Sequence, residues 1–145
     1  MKKDEKDFGR LTQEQVNEIA ETLEMGMKCF WCRTTNELVF VPETDEFSDG
    51  EEFYANEFEK LENNPEMFVE IEAMRSYDAF KVMKDFTERL KDNGLKFQLE
   101  DVLSSKKPFQ KFKFIIDNSG DYREQWFAFK SEKYREWVML QVDKF

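Results

Sequence analysis

The sequence predicts an α+β fold: a small, mostly antiparallel three-stranded sheet packed with five to six helices, the helices filling the C-terminal half. Three observations carry this. Apolar residues recur at helical spacing in windows that open near Thr12, Ser76, Leu95, Pro108 and Asp121. Two β-favouring runs, Cys29-Phe-Trp-Cys32 and Leu38-Val-Phe-Val41, flank the polar link Arg33-Thr-Thr-Asn-Glu37. A third run, Phe68-Val-Glu-Ile-Glu-Ala73, alternates apolar and acidic residues, the period of a half-buried strand.

Residues 1–10 are charged and read as a flexible tail; residues 11–145 read as a single domain, because this length buries a core without disulfide or metal staples. No long Ser/Gly/Pro linker interrupts them. Thr12 caps the first helix, with Gln15 in the reciprocal position of a capping box. Val16, Ile19, Ala20 and Leu23 form its apolar stripe, and Gly26 stops it. The two β-favouring runs then form a hairpin, which Pro42 ends because it cannot donate to a ladder. Residues 43–50 read as an acidic loop. Residues 51–61 read as a helix with Tyr54, Phe58 and Leu61 inward, and Asn63-Asn-Pro65 breaks it. A third strand follows at 68–73, since a lone hairpin is marginal in water.

Ser76 is expected to cap a helix that runs to about Lys91, with Phe80, Met83, Phe86 and Leu90 buried and Gly94 as its C-terminal stop. A short helix through Phe97, Leu99, Val102 and Leu103 comes next. Pro108 suits the first turn of the following one, whose stripe is Phe109, Phe112 and Ile116. After the break at Asn118-Ser-Gly120, Asp121 and Glu124 open the last helix. There Tyr122, Trp126, Phe129, Trp137 and Leu140 fall near one face and are expected to anchor the core. Trp126 and Phe127 lie about 100° apart on a helix, so a wide face is buried or one ring is bare. Burial is the reading adopted, because sixteen phenylalanines need an interior before any is spared for partners.

Charge is unevenly placed. The net charge of −10 comes almost wholly from residues 43–66, with one Lys/Arg against ten Asp/Glu. Residues 67–145 hold fifteen against fourteen. The acidic total argues against sequence-blind binding to DNA or RNA phosphates, which needs a cationic surface, so nucleic acid is not the expected partner. The charged N-terminus lacks an apolar run behind it, no window reaches the ~18 apolar residues of a membrane span, and only two cysteines occur. These features place the chain in the cytoplasm.

Histidine is absent. That removes Ser-His-Asp and Cys-His nucleophile systems and most ordinary zinc or iron sites. Cys29 and Cys32 have CxxC spacing, but on a strand residues three apart face opposite ways, so two ordinary half-buried cysteines are expected. An EF-hand register on Asp45, Asp49 and Gly50 places Asn56 where a bidentate Glu belongs; one on Asp117, Ser119 and Asp121 places Tyr122 where Gly belongs. Both fail. The five glycines form no phosphate-binding loop. Lys106, Lys107, Lys111 and Lys113 interleave with Phe109, Phe112 and Phe114, a pattern that can track a polynucleotide by charge and stacking.

The sequence resembles the bacterial uncharacterised protein family 0158. The residues that carry the likeness are Phe68-Val-Glu-Ile-Glu72, Tyr77-Asp-Ala-Phe80, Met83-Lys-Asp-Phe86, Pro108-Phe-Gln-Lys-Phe-Lys113 and Glu124-Gln-Trp-Phe-Ala-Phe-Lys130, with Leu38 to Pro42 fitting more loosely. The resemblance implies a helix-rich α+β domain of this size. It carries no activity, cofactor or catalytic residue, and the Cys29/Cys32 pair and the N-terminal tail are not among the shared features.

The function expected from this reading is a non-enzymatic cytoplasmic interaction domain that needs no cofactor. Its acidic segment, with Asp45, Glu46, Asp49, Glu51 and Glu52, would meet a basic protein partner. The alternatives are nucleic-acid binding through Lys106, Lys107, Lys111 and Lys113, and a carboxylate- and metal-dependent enzyme.

Overall fold

The computed structural model describes residues 11–43 and 53–145. Within them six helices and a three-stranded antiparallel sheet form an α+β fold, helical throughout its C-terminal half. The order is α1 (Gln13–Glu24), β1 (Met27–Cys32), β2 (Glu37–Pro42), α2 (Ala55–Asn63), β3 (Phe68–Ile71), α3 (Ser76–Arg89), α4 (Asn93–Leu103), α5 (Pro108–Asp117) and α6 (Tyr122–Lys144). The described backbone forms two compact units, one of the described residues up to 73 together with 134–145, the other of residues 74–133.

In the first unit the predicted capping box is in place. Thr12 Oγ1 accepts the Gln15 N–H at 3.1 Å, and Gln15 Oε1 accepts the Thr12 N–H at 3.0 Å. Val16, Ile19, Ala20 and Leu23 are buried, and Gly26 leaves α1 at φ +92°, a conformation that side chains resist. β1 is the central strand, between β2 and β3. Trp31 stands opposite Leu38 on β2 and Val69 on β3, and Cys29 opposite Phe40 and Ile71. The predicted third strand ends at Ile71, two residues early. Beyond it Glu72 pairs with side chains of α6. Its N–H donates to Gln141 Oε1 at 2.9 Å, and its carbonyl accepts Gln141 Nε2 at 2.8 Å and Trp137 Nε1 at 2.7 Å. An amide side chain thus takes the place of a strand residue. The predicted inward face of α2 holds in part, with Tyr54, Phe58 and Leu61 half-buried.

The core of the second unit is aromatic. Val82, Met83 and Phe86 of α3 and Leu90 just beyond its end pack with Leu99 of α4, Phe112 and Ile116 of α5, and Trp126 of α6. Trp126 sits edge-on to Phe86 at 5.3 Å and to Phe112 at 4.9 Å between ring centroids. Edge-to-face packing of this kind adds about 0.5–1.5 kcal/mol per pair beyond the area buried.

Several expectations require correction. α3 begins after Arg75, not Ser76: the Arg75 N–H donates to Asp78 Oδ2 at 3.3 Å, so the carboxylate three residues on does the capping. Gly94 does not stop α3; it lies in the first turn of α4, whose N-cap Asp92 accepts the Leu95 N–H at 3.0 Å. Phe97 and Leu140 are exposed although both were placed in apolar stripes. In α6 the buried residues are Trp126, then Tyr134, Val138 and Val142. At 100° per residue, Val138 lies a third of a turn round the helix from Trp126. The two halves of α6 bury different faces, so no single stripe describes it.

Candidate functional site

Asp45, Glu46, Asp49, Glu51 and Glu52, the expected acidic interaction surface, lie outside the described residues, as does the Asp45–Gly50 metal register. The four lysines are described, and all belong to the second unit. That unit is cationic, with thirteen Lys/Arg against ten Asp/Glu in residues 74–133. The cations concentrate locally, because residues 102–116 contain four lysines and no carboxylate.

The geometry of α5 fixes how this run is displayed. Phe112 and Ile116, four apart, point into the core. Phe114 lies 200° from Phe112 and is therefore driven outward, where it is 70% exposed. Phe109, expected in the core, is 41% exposed at the helix flank. The expectation that phenylalanines fill the interior first is thus overturned on this helix, since helical phase outranks hydrophobicity. Lys106, Lys107, Lys111 and Lys113 are all exposed. Lys107 adopts φ +52°, a left-handed conformation rare for a lysine, directly before Pro108 at the first helical position. Lys111 Nζ donates to Ser105 Oγ at 3.3 Å, and Lys113 Nζ to Asp117 Oδ2 at 2.9 Å.

Asp117 is the acid at the edge of this surface. Lys113, and after it Arg123, hold its carboxyl below the usual carboxylate range. Arg123 also lies over the Phe127 ring, 4.7 Å from its centroid. The three aromatics of α6 that sequence reasoning could not separate are therefore resolved. Trp126 is buried, Phe129 is half-buried beneath Arg89 and Lys133, and Phe127 is exposed beneath Arg123.

Phe109 belongs to a larger aromatic surface. Its ring meets Phe80 of α3 edge-on, 6.5 Å between centroids. Tyr77, three residues before Phe80 and so on the same side of α3, is 79% exposed. Sequence reasoning placed Phe80 in the core and assigned Tyr77 no role. The signal available was Tyr77 itself, a ring in the first turn outside the buried stripe.

Other candidates offer less. A cleft of about 360 Å³ lies between β2 and α2, lined by Leu38, Phe40 and Tyr54 with the Glu37–Lys60 ion pair beside them. A second, of about 300 Å³, lies between α3 and α4, with Lys84, Glu88 and Glu100 at its rim. Neither gathers a buried polar atom in need of a partner. Among the described residues no group of three or more Cys, Asp or Glu is placed to hold a metal ion. No helix there is long and apolar enough to cross a membrane.

Cys29 and Cys32 are free and fully buried, because both faces of β1 are covered, rather than half-buried. Three strand residues separate them by about 10 Å, beyond disulfide reach. Burial, with Glu18 and Glu70 adding to it, pushes the Cys29 thiol up to about 12. Hydrogen bonds from Thr34 and Thr35 pull the Cys32 thiol down to about 7, and the Thr34 hydroxyl lies 3.2 Å from its sulfur. Because both thiols are buried, iodoacetamide at pH 8 should alkylate the native chain at least about tenfold more slowly than the urea-unfolded chain. Equal rates by mass spectrometry would show that β1 does not shield its cysteines.

The comparisons with known proteins place the chain in a family and add no activity. The model of the uncharacterised protein family UPF0158 matches residues 10–144. A UPF0158 protein of Pseudomonas aeruginosa is 28% identical over 79 residues, which cover 54% of this chain and 52% of that protein. The matched stretch thus spans about half the length of that curated relative. No solved structure matches the chain.

Proposed function

This chain belongs to the uncharacterised protein family UPF0158, and from that premise we propose that it is a non-enzymatic binding domain that engages an anionic partner through the outer face of α5. One observation carries the reading. The carboxylate-free run 102–116 turns all four of its lysines to solvent, with Phe109 and Phe114 bare among them. Lys107, Lys111 and Phe114 follow one another at i, i+4 and i+7 along the outward side. An exposed ring costs solubility and adds nothing to the core, so its place among cations favours a binding role.

The chain's net charge of −10 does not oppose this. At about 0.1 M salt, charges more than roughly 10 Å from the lysines are largely screened. At that ionic strength the protein should be retained on immobilised heparin and released by added salt. The variant K106E, K107E, K111E, K113E should pass straight through. Equal retention of both proteins would remove α5 from the reading.

A second reading is supported by the charge outside residues 74–133, where nine Lys/Arg face twenty-two Asp/Glu. There the acidic segment with Asp45, Glu46, Asp49, Glu51 and Glu52 would steer a basic protein partner in the cytoplasm. Its test is a low-salt pull-down with and without that segment. Recovery of the same proteins by both forms would end it.

A further inference from the structure

We infer that the anionic partner of the α5 face is a single strand of nucleic acid, whose bases stack on Tyr77, Phe80 and Phe109 while its phosphates meet Lys106 and Lys107. This deepens the reading above and rests on it. The added observation is the pairing of rings from two helices, Phe80 and Phe109, far apart in sequence. Phe80 and Phe109 meet at 6.5 Å, and Tyr77 extends the surface along α3. Lys113 lies four residues after Phe109 on the same side of α5, and Lys106 and Lys107 lie in the segment that leads into that helix.

The alternative occupant is an acidic protein segment, and the rings decide against it. Carboxylates need cations alone; three exposed or half-exposed aromatic faces beside them contribute nothing to pairing with Asp or Glu. Unpaired bases use both, because every base has a π-face and every linkage a charge. A duplex uses only the cations, since its bases are already stacked on one another. Lys106 and Lys107 carry no ion pair among the described residues, so a phosphate displaces nothing there. Lys113 is already engaged by Asp117 and is the least available of the four. Stacking and charge pairing make no use of a 2′-hydroxyl, so RNA and DNA strands should bind within about threefold of each other.

The test is fluorescence anisotropy with labelled twelve-residue oligo-dT and oligo-U, and with a duplex of equal length, at about 0.1 M salt. Both single strands should bind the intact chain, and the duplex about tenfold more weakly. Tyr77→Ala, at a position so exposed that folding is untouched, should weaken single-strand binding about tenfold, as should Phe109→Ala. Tyr77→Ala, which lies outside the α5 run, should leave retention on heparin unaltered. Binding of duplex as tight as of single strand, or single-strand binding indifferent to both ring losses, overturns the inference and leaves a surface that reads charge alone. Absence of oligonucleotide binding alongside capture of poly-glutamate assigns the surface to an acidic protein partner instead. Loss of heparin retention by the intact chain would defeat the underlying reading and not merely this one.

Discussion

Replacing Trp126 by alanine is expected to destabilise the fold by about 3–5 kcal/mol, the usual range for truncating a buried tryptophan. Trp126 is nearly fully buried and lies edge-on to both Phe86 and Phe112, one from α3 and one from α5. Its removal leaves a cavity bounded by three helices, and the flanking rings lose their edge contacts together. The large aromatics around it have few rotamers with which to fill the space. Urea unfolding followed by circular dichroism should show the midpoint moving sharply down with the slope kept. Phe127→Ala is the matched control. It removes a neighbouring ring that is exposed beneath Arg123, and should move stability by less than about 0.5 kcal/mol. A loss below about 1 kcal/mol for Trp126→Ala would mean that the core of this unit is not organised around that side chain. The same comparison also bears on function, because Phe86 and Phe112 fix the facing of α3 and α5 and hence the outward phase of Tyr77 and Phe109.

How much of this was legible in the sequence varies by element, for physical reasons. The hairpin, the third strand, the first capping box and the Pro108 helix start are all encoded within a few residues, and each formed where the pattern placed it, except that the third strand stops two residues short. The start of α3 was misplaced by one residue because a capping serine at 76 is a stronger local signal than Arg75. The decisive group was Asp78, which reaches back to the Arg75 N–H. Gly94 was read as a stop on its own, but Asp92 caps α4 in time for the glycine to fall inside its first turn. α6 was misread because one periodicity was applied along its whole length, while Trp126 and Val138 are buried on different sides. The candidate surface was half visible. The interleaving of lysines with phenylalanines on α5 could be seen, yet which rings turn outward depends on the partner helix that Phe112 faces. The meeting of Phe80 with Phe109 joins residues far apart in the chain and has no local signature.

Asn36→Ala is expected to cost about 2–4 kcal/mol, a large effect for a turn residue, because this side chain ties three elements together. Asn36 sits at φ +66°, which asparagine tolerates far better than alanine. Its Oδ1 accepts the Trp31 Nε1–H at 2.8 Å, and Trp31 is buried, so alanine would leave that donor without its acceptor at a cost of about 1–3 kcal/mol. Its Nδ2 donates to Gln15 Oε1 at 2.9 Å, while Gln15 Nε2 donates to the Asn36 carbonyl at 3.2 Å. Gln15 Oε1 is also the atom that accepts the Thr12 N–H. One oxygen therefore serves the α1 cap and the β1–β2 turn at once, and the hairpin is registered against the helix through it. Substitutions separate the contributions. Asn36→Gly keeps the backbone conformation and loses only the side-chain bonds, so it should cost less than alanine by about 1 kcal/mol. Asn36→Asp keeps an acceptor for Trp31 but sets a carboxylate oxygen against Gln15 Oε1. Gln15 can relieve that only by turning its amide over, which withdraws the acceptor from Thr12. The aspartate variant should therefore lose the Gln15 half of the capping box while the Thr12 Oγ1 bond to the Gln15 N–H persists, and adding Gln15→Ala to it should cost much less than the roughly 1 kcal/mol expected in the native chain. Fully additive losses in that double-mutant cycle, measured by urea unfolding, would show that the helix cap and the turn are held independently.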